Sequence, residues 1–240
     1  MSGISLAKSI ELQLLHPLVT HDEVRAGCLR AGAAHIASVC VWPAHVSIAA
    51  RELHGSDTRV RAAIGFPYGH DMPSIKLAAC DRALADGADA LAVMLDHTAL
   101  TDLSDPAAAH AELDRVLEHS WWSALNAARG RAELTLVLET MLLEPAVLQP
   151  LLTRLRETPA GFLQTGSGHQ PRTVTDHHVR TLRELLPADI AIVAVGGIAT
   201  LEDAESLIAA GAVRIGSGSA LAILDEERHL RDHATQAGGR

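Results

Sequence analysis

Three features of the sequence predict a single-domain (β/α)8, or TIM, barrel. Eight short apolar runs are each followed by an amphipathic helical stretch, the runs are continuous rather than alternating, and the glycine-rich turns come only in the last three units. Continuous apolar runs suit parallel strands buried on both faces. Eight such units in 240 residues match the size and order of the barrel. The rival is a doubly wound open sheet, which usually carries Gly-x-Gly-x-x-Gly after its first strand. Here the first strand runs instead into Leu15-His16-Pro17.

In chain order, Ile10–Leu15 is the first strand and the stretch from Thr20 to Ala31 its helix, with Thr20 as N-cap and Asp22 and Glu23 in the first turn. Ile36–Val41 precedes a helix over Ala44–Leu53, and Val60–Gly65 precedes one over Met72–Ala85. Ala90–Leu95 precedes Ala107–Ala128, and Leu134–Leu138 precedes Glu144–Arg156. Gly161–Gln164 precedes Val174–Leu186, Ile190–Val195 precedes Leu201–Ala210, and Ala212–Ile215 precedes a short helix after Gly218. The expected organisation is an N-terminal extension over 1–9, the barrel over 10–225 and a C-terminal tail over 226–240.

A net charge of -9 argues against nucleic acid and anionic membranes as partners. No apolar run approaches a membrane span, and the N-terminus lacks the apolar core of a signal peptide. Cys28, Cys40 and Cys80 are scattered and odd in number, which suggests a reducing, cytoplasmic setting. No histidine pair is read as a ligand pair at His-x-x-x-His spacing, so neither a metal nor another cofactor is expected. The expected partner is a small-molecule substrate.

Three late turns stand out: Thr165-Gly166-Ser167-Gly168, Gly196-Gly197 and Gly216-Ser217-Gly218-Ser219. Glycine lets backbone N–H groups approach an anion, and a following helix N-terminus favours negative charge. Thr165, Gly168, Gly196, Gly197, Gly216, Ser217, Gly218 and Ser219 are therefore candidates for binding phosphate or another small anion. The bland alternative is tight packing at barrel corners.

Further motifs give the chain a family resemblance. Ser38-Val-Cys-Val-Trp-Pro43, Ile64-Gly-Phe-Pro-Tyr-Gly69, Val137-Leu-Glu-Thr140, Gly196-Gly-Ile-Ala-Thr-Leu-Glu-Asp-Ala204 and Ala210-Gly-Ala-Val-Arg-Ile-Gly-Ser-Gly-Ser219 resemble motifs of the deoxyribose-phosphate aldolase family. The resemblance runs from Ile10 to Leu224. It implies a TIM barrel, a phosphorylated sugar substrate, a lysine Schiff base and a homodimer.

The chain departs from that pattern where the chemistry lies. The family's Schiff-base lysine falls on Gln164, its second lysine on Val193, its strand-four aspartate on Ala92 and its strand-five lysine on Thr135. An amide cannot form an imine, and arginine stays protonated. The two lysines, Lys8 and Lys76, precede the first strand and lie in a helix. The expectation is a divergent barrel enzyme that is not a Schiff-base aldolase. Its chemistry would be acid–base or electrostatic, of aldol, retro-aldol, lyase or cyclisation type, on a small carbonyl or phosphorylated compound. The alternative is a non-catalytic paralogue that binds a phosphorylated metabolite or a partner protein.

The catalytic candidates are Asp96, Glu139, His16, His169 and Gln164. A carboxylate–histidine pair can serve as acid and base, and Gln164 could hydrogen-bond a carbonyl or enolate oxygen. Asp96 could equally cap its loop and Glu139 act structurally. His97 and His169 are two of fourteen histidines. His177 and His178 read as surface, Cys40 as core, and Trp121 and Trp122 as packing or subunit contact.

Overall fold

The computed structural model describes residues 5–97, 132–155 and 160–238. The expected helix over Ala107–Ala128, with Trp121 and Trp122, lies outside these residues. Eight strands close into a barrel in sequence order: β1 (Ile10–Leu14), β2 (Ser38–Val41), β3 (Arg59–Ile64), β4 (Ala90–Met94), β5 (Glu133–Val137), β6 (Phe162–Gln164), β7 (Ala191–Val195) and β8 (Ala212–Ser217). Every neighbouring pair is parallel, and β1 closes on β8 with Glu11 opposite Gly216. The helices of the described residues are α1 (His21–Ala33), α2 (Val46–Glu52), α3 (Pro73–Ala85), α4 (Pro145–Arg154), α5 (Asp176–Leu185), α6 (Leu201–Ala209) and α7 (Ala220–Gly238). The expected barrel and its element order are therefore observed, with most element ends within one or two residues.

Alternation along each strand divides the barrel into two environments. Outward residues such as Leu12, Val39, Ile64, Val93, Leu136 and Ile192 join helix residues such as Val24, Leu182, Leu207 and Ile223 in one apolar core. Each fully buried aliphatic side chain there contributes about 1.5–3 kcal/mol. The inward face is different. Glu11, Ser38, Arg61, Thr135 and Gln164 all point into the barrel and are at most 1 % exposed. Other inward positions are apolar: Leu15, Cys40 and Ala63 form one small cluster and Ala92, Met94 and Val137 another, with Phe66 packed against both.

Helix starts follow local chemistry. Thr20 and Thr200 each form a reciprocal capping box, with Glu23 and Asp203 respectively, and Thr175 caps α5. One element differs from expectation. The short helix after Gly218 is a 19-residue helix, and it takes in residues 226–238 that read as a tail. Its beginning buries Ala220, Ile223 and Leu224. Its polar continuation is supported by pairs at helical spacing, Asp225 with Arg228 and Glu227 with Arg231. A run without apolar periodicity gives little sequence signal for such a helix.

Candidate active site

The barrel interior carries a buried ion network centred on Arg61. Its Nη1 donates to Glu11 Oε2 at 2.8 Å, its Nη2 donates to Gln164 Oε1 at 2.9 Å, and Ser38 Oγ donates to Glu11 Oε2 at 2.7 Å. Both charged side chains are 0 % exposed. Burial pushes the Glu11 carboxyl up, but Arg61, Arg214 and the Ser38 hydroxyl outweigh it and hold the pKa below the ordinary value. Burial likewise works against the Arg61 cation, and Glu11 reverses it and raises the pKa. The pair therefore stays ionised.

This network corrects the reading of Gln164. Its Oε1 is taken by Arg61, and its Nε2 donates to the carbonyl of Gly166 at 2.7 Å. With 0 % of its surface exposed, Gln164 is a structural link between β3 and the β6 turn, not a donor presented at the barrel mouth. Ala92, Thr135 and Val193 are each 0 % exposed as well. Lys8 pairs with Asp57 at 2.6 Å. Lys76 is buried in α3, with its stem against Gly65 at the end of β3: a Cβ on that glycine would stand 3.2 Å from Lys76 Cε.

The other catalytic candidates gather at the C-terminal ends of the strands, where such barrels place their chemistry. Glu139 follows β5 and is 2 % exposed. Its Oε1 accepts the Ser167 backbone N–H at 2.9 Å and a very short hydrogen bond from the Ser167 hydroxyl. That hydroxyl in turn accepts the His169 backbone N–H at 3.1 Å. Glu139 thus fixes the loop that carries His169. The His169 ring lies with Nδ1 3.3 Å from the Ser167 carbonyl, which can only accept, so Nδ1 bears the proton. In the neutral ring Nε2 is then the basic nitrogen. Across the mouth, the Trp42 and His169 ring centroids are 6.4 Å apart. Trp42 follows β2, four strands away from β6 in the closed barrel, so this contact spans the opening.

Asp96 follows β4 with its side chain 28 % exposed, and its Oδ1 is 3.8 Å from His70 Nε2. His97 accepts the Glu139 backbone N–H through Nε2 at 2.6 Å and is also hydrogen-bonded to the Tyr68 backbone. Burial lowers its pKa, with Glu139 pulling the other way, so a neutral imidazole anchors the β4 and β5 ends. His16 is exposed, and its Nδ1 accepts the Leu18 N–H at 3.2 Å, so that ring serves its own loop. His178 is not a bare surface residue: its Nε2 is 2.8 Å from Thr140 Oγ1, and burial lowers its pKa. Burial, reinforced by Glu11, raises the Cys40 pKa, which leaves an unreactive core thiol.

The glycine loops are more closely packed than an open anion cradle. Thr165 Oγ1 both donates to the Val195 carbonyl and accepts its N–H, and Ser217 Oγ donates to the Ile198 carbonyl at 2.6 Å. The space beside Gly196 meets the Arg172 carbonyl, beside Gly197 the Thr173 side chain, and beside Gly216 the side chains of Gln13 and Val195. Gly168, Gly197 and Gly218 are exposed at the rim, with Ser219 half-buried at the start of α7. Gly197 also lines a 310 Å³ cavity with Asp176, Glu202 and Asp203, whose charges disfavour an anion there. Gln13 is the mouth residue that sequence reading missed. Its signal was available: it lies two residues after Glu11 on β1, on the same face.

No group of three or more metal-ligating side chains occurs among the described residues. The expectation of no ligand-spaced histidine pair overlooks His229 and His233, which stand four apart and exposed on α7. No helix among the described residues is long and apolar enough to cross a membrane.

Comparison with known proteins agrees with the barrel fold. Residues 129–228 match the family model described as dihydroorotate dehydrogenase, less than half of the chain. Over 222 residues the chain is 30 % identical to the deoxyribose-phosphate aldolase of Clostridium novyi (strain NT), covering 92 % of this chain and 96 % of that protein. Its likeness to the Treponema denticola protein of the same name is 30 % over 223 residues, covering 92 % and 99 %. Among solved structures, an aldolase called QR15 superposes with a TM-score of 0.82 at 28 % identity, covering 97 % of this chain and 99 % of that one. The deoxyribose phosphate aldolase of Aeropyrum pernix, described as tetrameric, superposes with a TM-score of 0.81 at 27 % identity, covering 94 % and 92 %.

Proposed function

Since the chain belongs to the deoxyribose-phosphate aldolase family, we propose that it is an aldolase-like lyase that works without an imine. One observation carries this reading: the residue at the Schiff-base position is Gln164, an amide with no exposed surface, tied at both polar ends to Arg61 and Gly166. Arg61 supplies positive charge to the barrel interior but cannot act as a nucleophile.

The residues at the mouth support acid–base chemistry instead. His169 is the general base, through Nε2. Glu139 is a positioning residue that acts through Ser167. Asp96, paired with His70, is the carboxylate with side-chain surface at the rim. The substrate class is a small β-hydroxy carbonyl compound or the aldehyde and carbonyl pair it splits into. A phosphorylated substrate rests on Gly218 and Ser219 at the start of α7, where a helix N-terminus favours an anion.

The test is incubation with 2-deoxyribose 5-phosphate while acetaldehyde release is followed, with borohydride trapping and intact-mass measurement in parallel. Turnover without an adduct is the expected result. A trapped adduct on Lys8 or Lys76 would defeat the reading.

A second reading, a non-catalytic paralogue, draws on the bland replacements Ala92, Thr135 and Val193, all without exposed surface. It requires that Asp96→Ala and His169→Ala leave ligand binding unchanged and that no carbonyl substrate turns over. Self-association is proposed from the tetrameric relative, with light scattering as its check.

A further inference from the structure

Cleavage of a β-hydroxy carbonyl compound leaves negative charge on an oxygen. As the carbon–carbon bond breaks, its electron pair moves into the former carbonyl, and a donor must already be in place there. Gln164 cannot provide it, because both ends of its amide are taken.

Gln13 can. Its side chain is half-buried on the inward face of β1, and its Nε2 is buried with no hydrogen-bond acceptor among the described residues. Buried donors are nearly always satisfied, so this one calls for a partner that the protein does not supply. The amide lies between two glycine loops. A Cβ on Gly216 would stand 2.7 Å from Gln13 Nε2, and a Cβ on Gly168 would stand 3.7 Å from Gln13 Oε1. Glycine at 216 is what lets the amide lie there, and Gly168 immediately precedes His169. The Gln13 amide thus turns its Oε1 edge to the β6 loop that carries His169 and its Nε2 edge to the β8 end, so both residues belong to the same mouth.

Resting on the imine-free reading above, we propose that Gln13 is a catalytic residue that binds the carbonyl oxygen of a β-hydroxy carbonyl substrate and the enolate oxygen formed from it. His169 Nε2 takes the β-hydroxyl proton. That oxygen becomes a carbonyl as the bond between the α and β carbons breaks. The bonding pair passes through the α carbon to the first carbonyl oxygen, which becomes an enolate held by the Gln13 N–H. The His169 imidazolium then returns its proton to the α carbon. Two carbonyl products leave, and no redox partner is needed.

Acetohydroxamate, a stable planar enediolate mimic whose carbonyl oxygen stands in for the enolate oxygen, is the probe. It is titrated by calorimetry into the unaltered chain, Gln13→Met and Gln13→Glu, with melting by circular dichroism as the folding control. The unaltered chain binds it, and both variants bind at least about tenfold more weakly, as expected for loss of a donor to a charged oxygen. With a substrate that turns over, kcat falls about 100-fold in Gln13→Met while KM barely moves. In the unaltered protein the Gln13 side-chain amide resonance shifts on adding the probe, a readout that depends on no variant. No binding by the unaltered chain, an unmoved amide resonance, or equal binding by a folded Gln13→Met would each overturn the assignment. A borohydride-trapped lysine adduct would instead defeat the imine-free reading itself, so the two failures are distinguishable.

Discussion

Arg61 Nη2 donates to Gln164 Oε1 across the barrel interior, 2.9 Å from strand three to strand six. The Gln164 amide oxygen is thus the acceptor for a buried guanidinium. The carboxylate of Glu11 balances that guanidinium from the other side at 2.8 Å. The three residues lie 50 and 103 positions apart in sequence from Arg61 outward. They form one unit, so a change at any of them is felt by the other two.

A lysine placed at 164 should therefore not create a Schiff-base nucleophile by itself. Gln164→Lys removes the acceptor of Arg61 and sets a second cation beside it. An uncompensated buried charge costs about 3–5 kcal/mol, so urea unfolding should show a loss of that size and borohydride should trap no adduct. Stability within about 1 kcal/mol of the unaltered protein would mean that the interior relaxes or admits water, contrary to its 0 % exposure.

Glu11 sets a limit on acid stability. Its folded pKa is lowered from the ordinary value of 4.5, so its contribution to stability is fully present above that value. It is lost as pH falls through the folded pKa, because the unfolded chain takes up the proton first. Glu11→Gln should unfold more readily at pH 7, by about 3–5 kcal/mol, and should show a shallower decline of stability below pH 4.5 than the unaltered protein. Parallel acid limbs in the two proteins would assign that decline to other carboxylates.

The strands were legible because parallel, doubly buried segments read as continuous apolar runs, and their helices because caps such as Thr20 and Thr200 carry local signals. The interior network was not, although Arg61 within the apolar run Val60–Ile64 was an available warning. Sequence order shows that Arg61 and Gln164 exist, but only barrel closure shows that they meet. The same holds for the mouth. Glu139, Ser167 and His169 come together because the β5 and β6 ends are neighbours, while Gln13 passed for strand filling because its amide gains significance only against Gly168 and Gly216. His178 read as surface because its partner, Thr140, lies on another loop.

Two half-buried histidines give the fold a second pH dependence, at milder acidity. Burial lowers the pKa of both His97 and His178 from 6.5. Below that value the unfolded chain binds protons that the folded chain resists, so stability falls as pH drops from 6.5 toward the folded values and then levels. Thr140 Oγ1 donates to the Thr165 carbonyl, so it must accept from His178 Nε2. His178→Gln should flatten the slope of melting temperature as pH falls below 6.5, and the slope rather than the absolute value is the readout. An unchanged slope would place the dependence on His97 or His45, whose pKa burial also lowers.

Gly166 and Gly218 separate a glycine that the packing requires from one that it does not. Neither has a positive φ. A Cβ on Gly166 would lie 2.6 Å from Glu139 Oε2, whereas the nearest atom to a Cβ on Gly218 is the Gln13 carbonyl oxygen at 3.8 Å. Gly166→Ala must push the Glu139 carboxylate aside, and with it the Ser167 contacts that hold His169. Overpacking of this kind costs about 1–3 kcal/mol, while Gly218→Ala should stay within about 0.5 kcal/mol of the unaltered protein, as surface changes usually do. The functional consequence follows from position: Gly166→Ala should also weaken acetohydroxamate binding or turnover, because His169 loses the Ser167 contact that fixes its loop. Urea unfolding and calorimetry on both variants would settle it. Two variants with equal stability and equal binding would show that the Glu139 carboxylate can move freely, and that Ser167 and His169 do not depend on it.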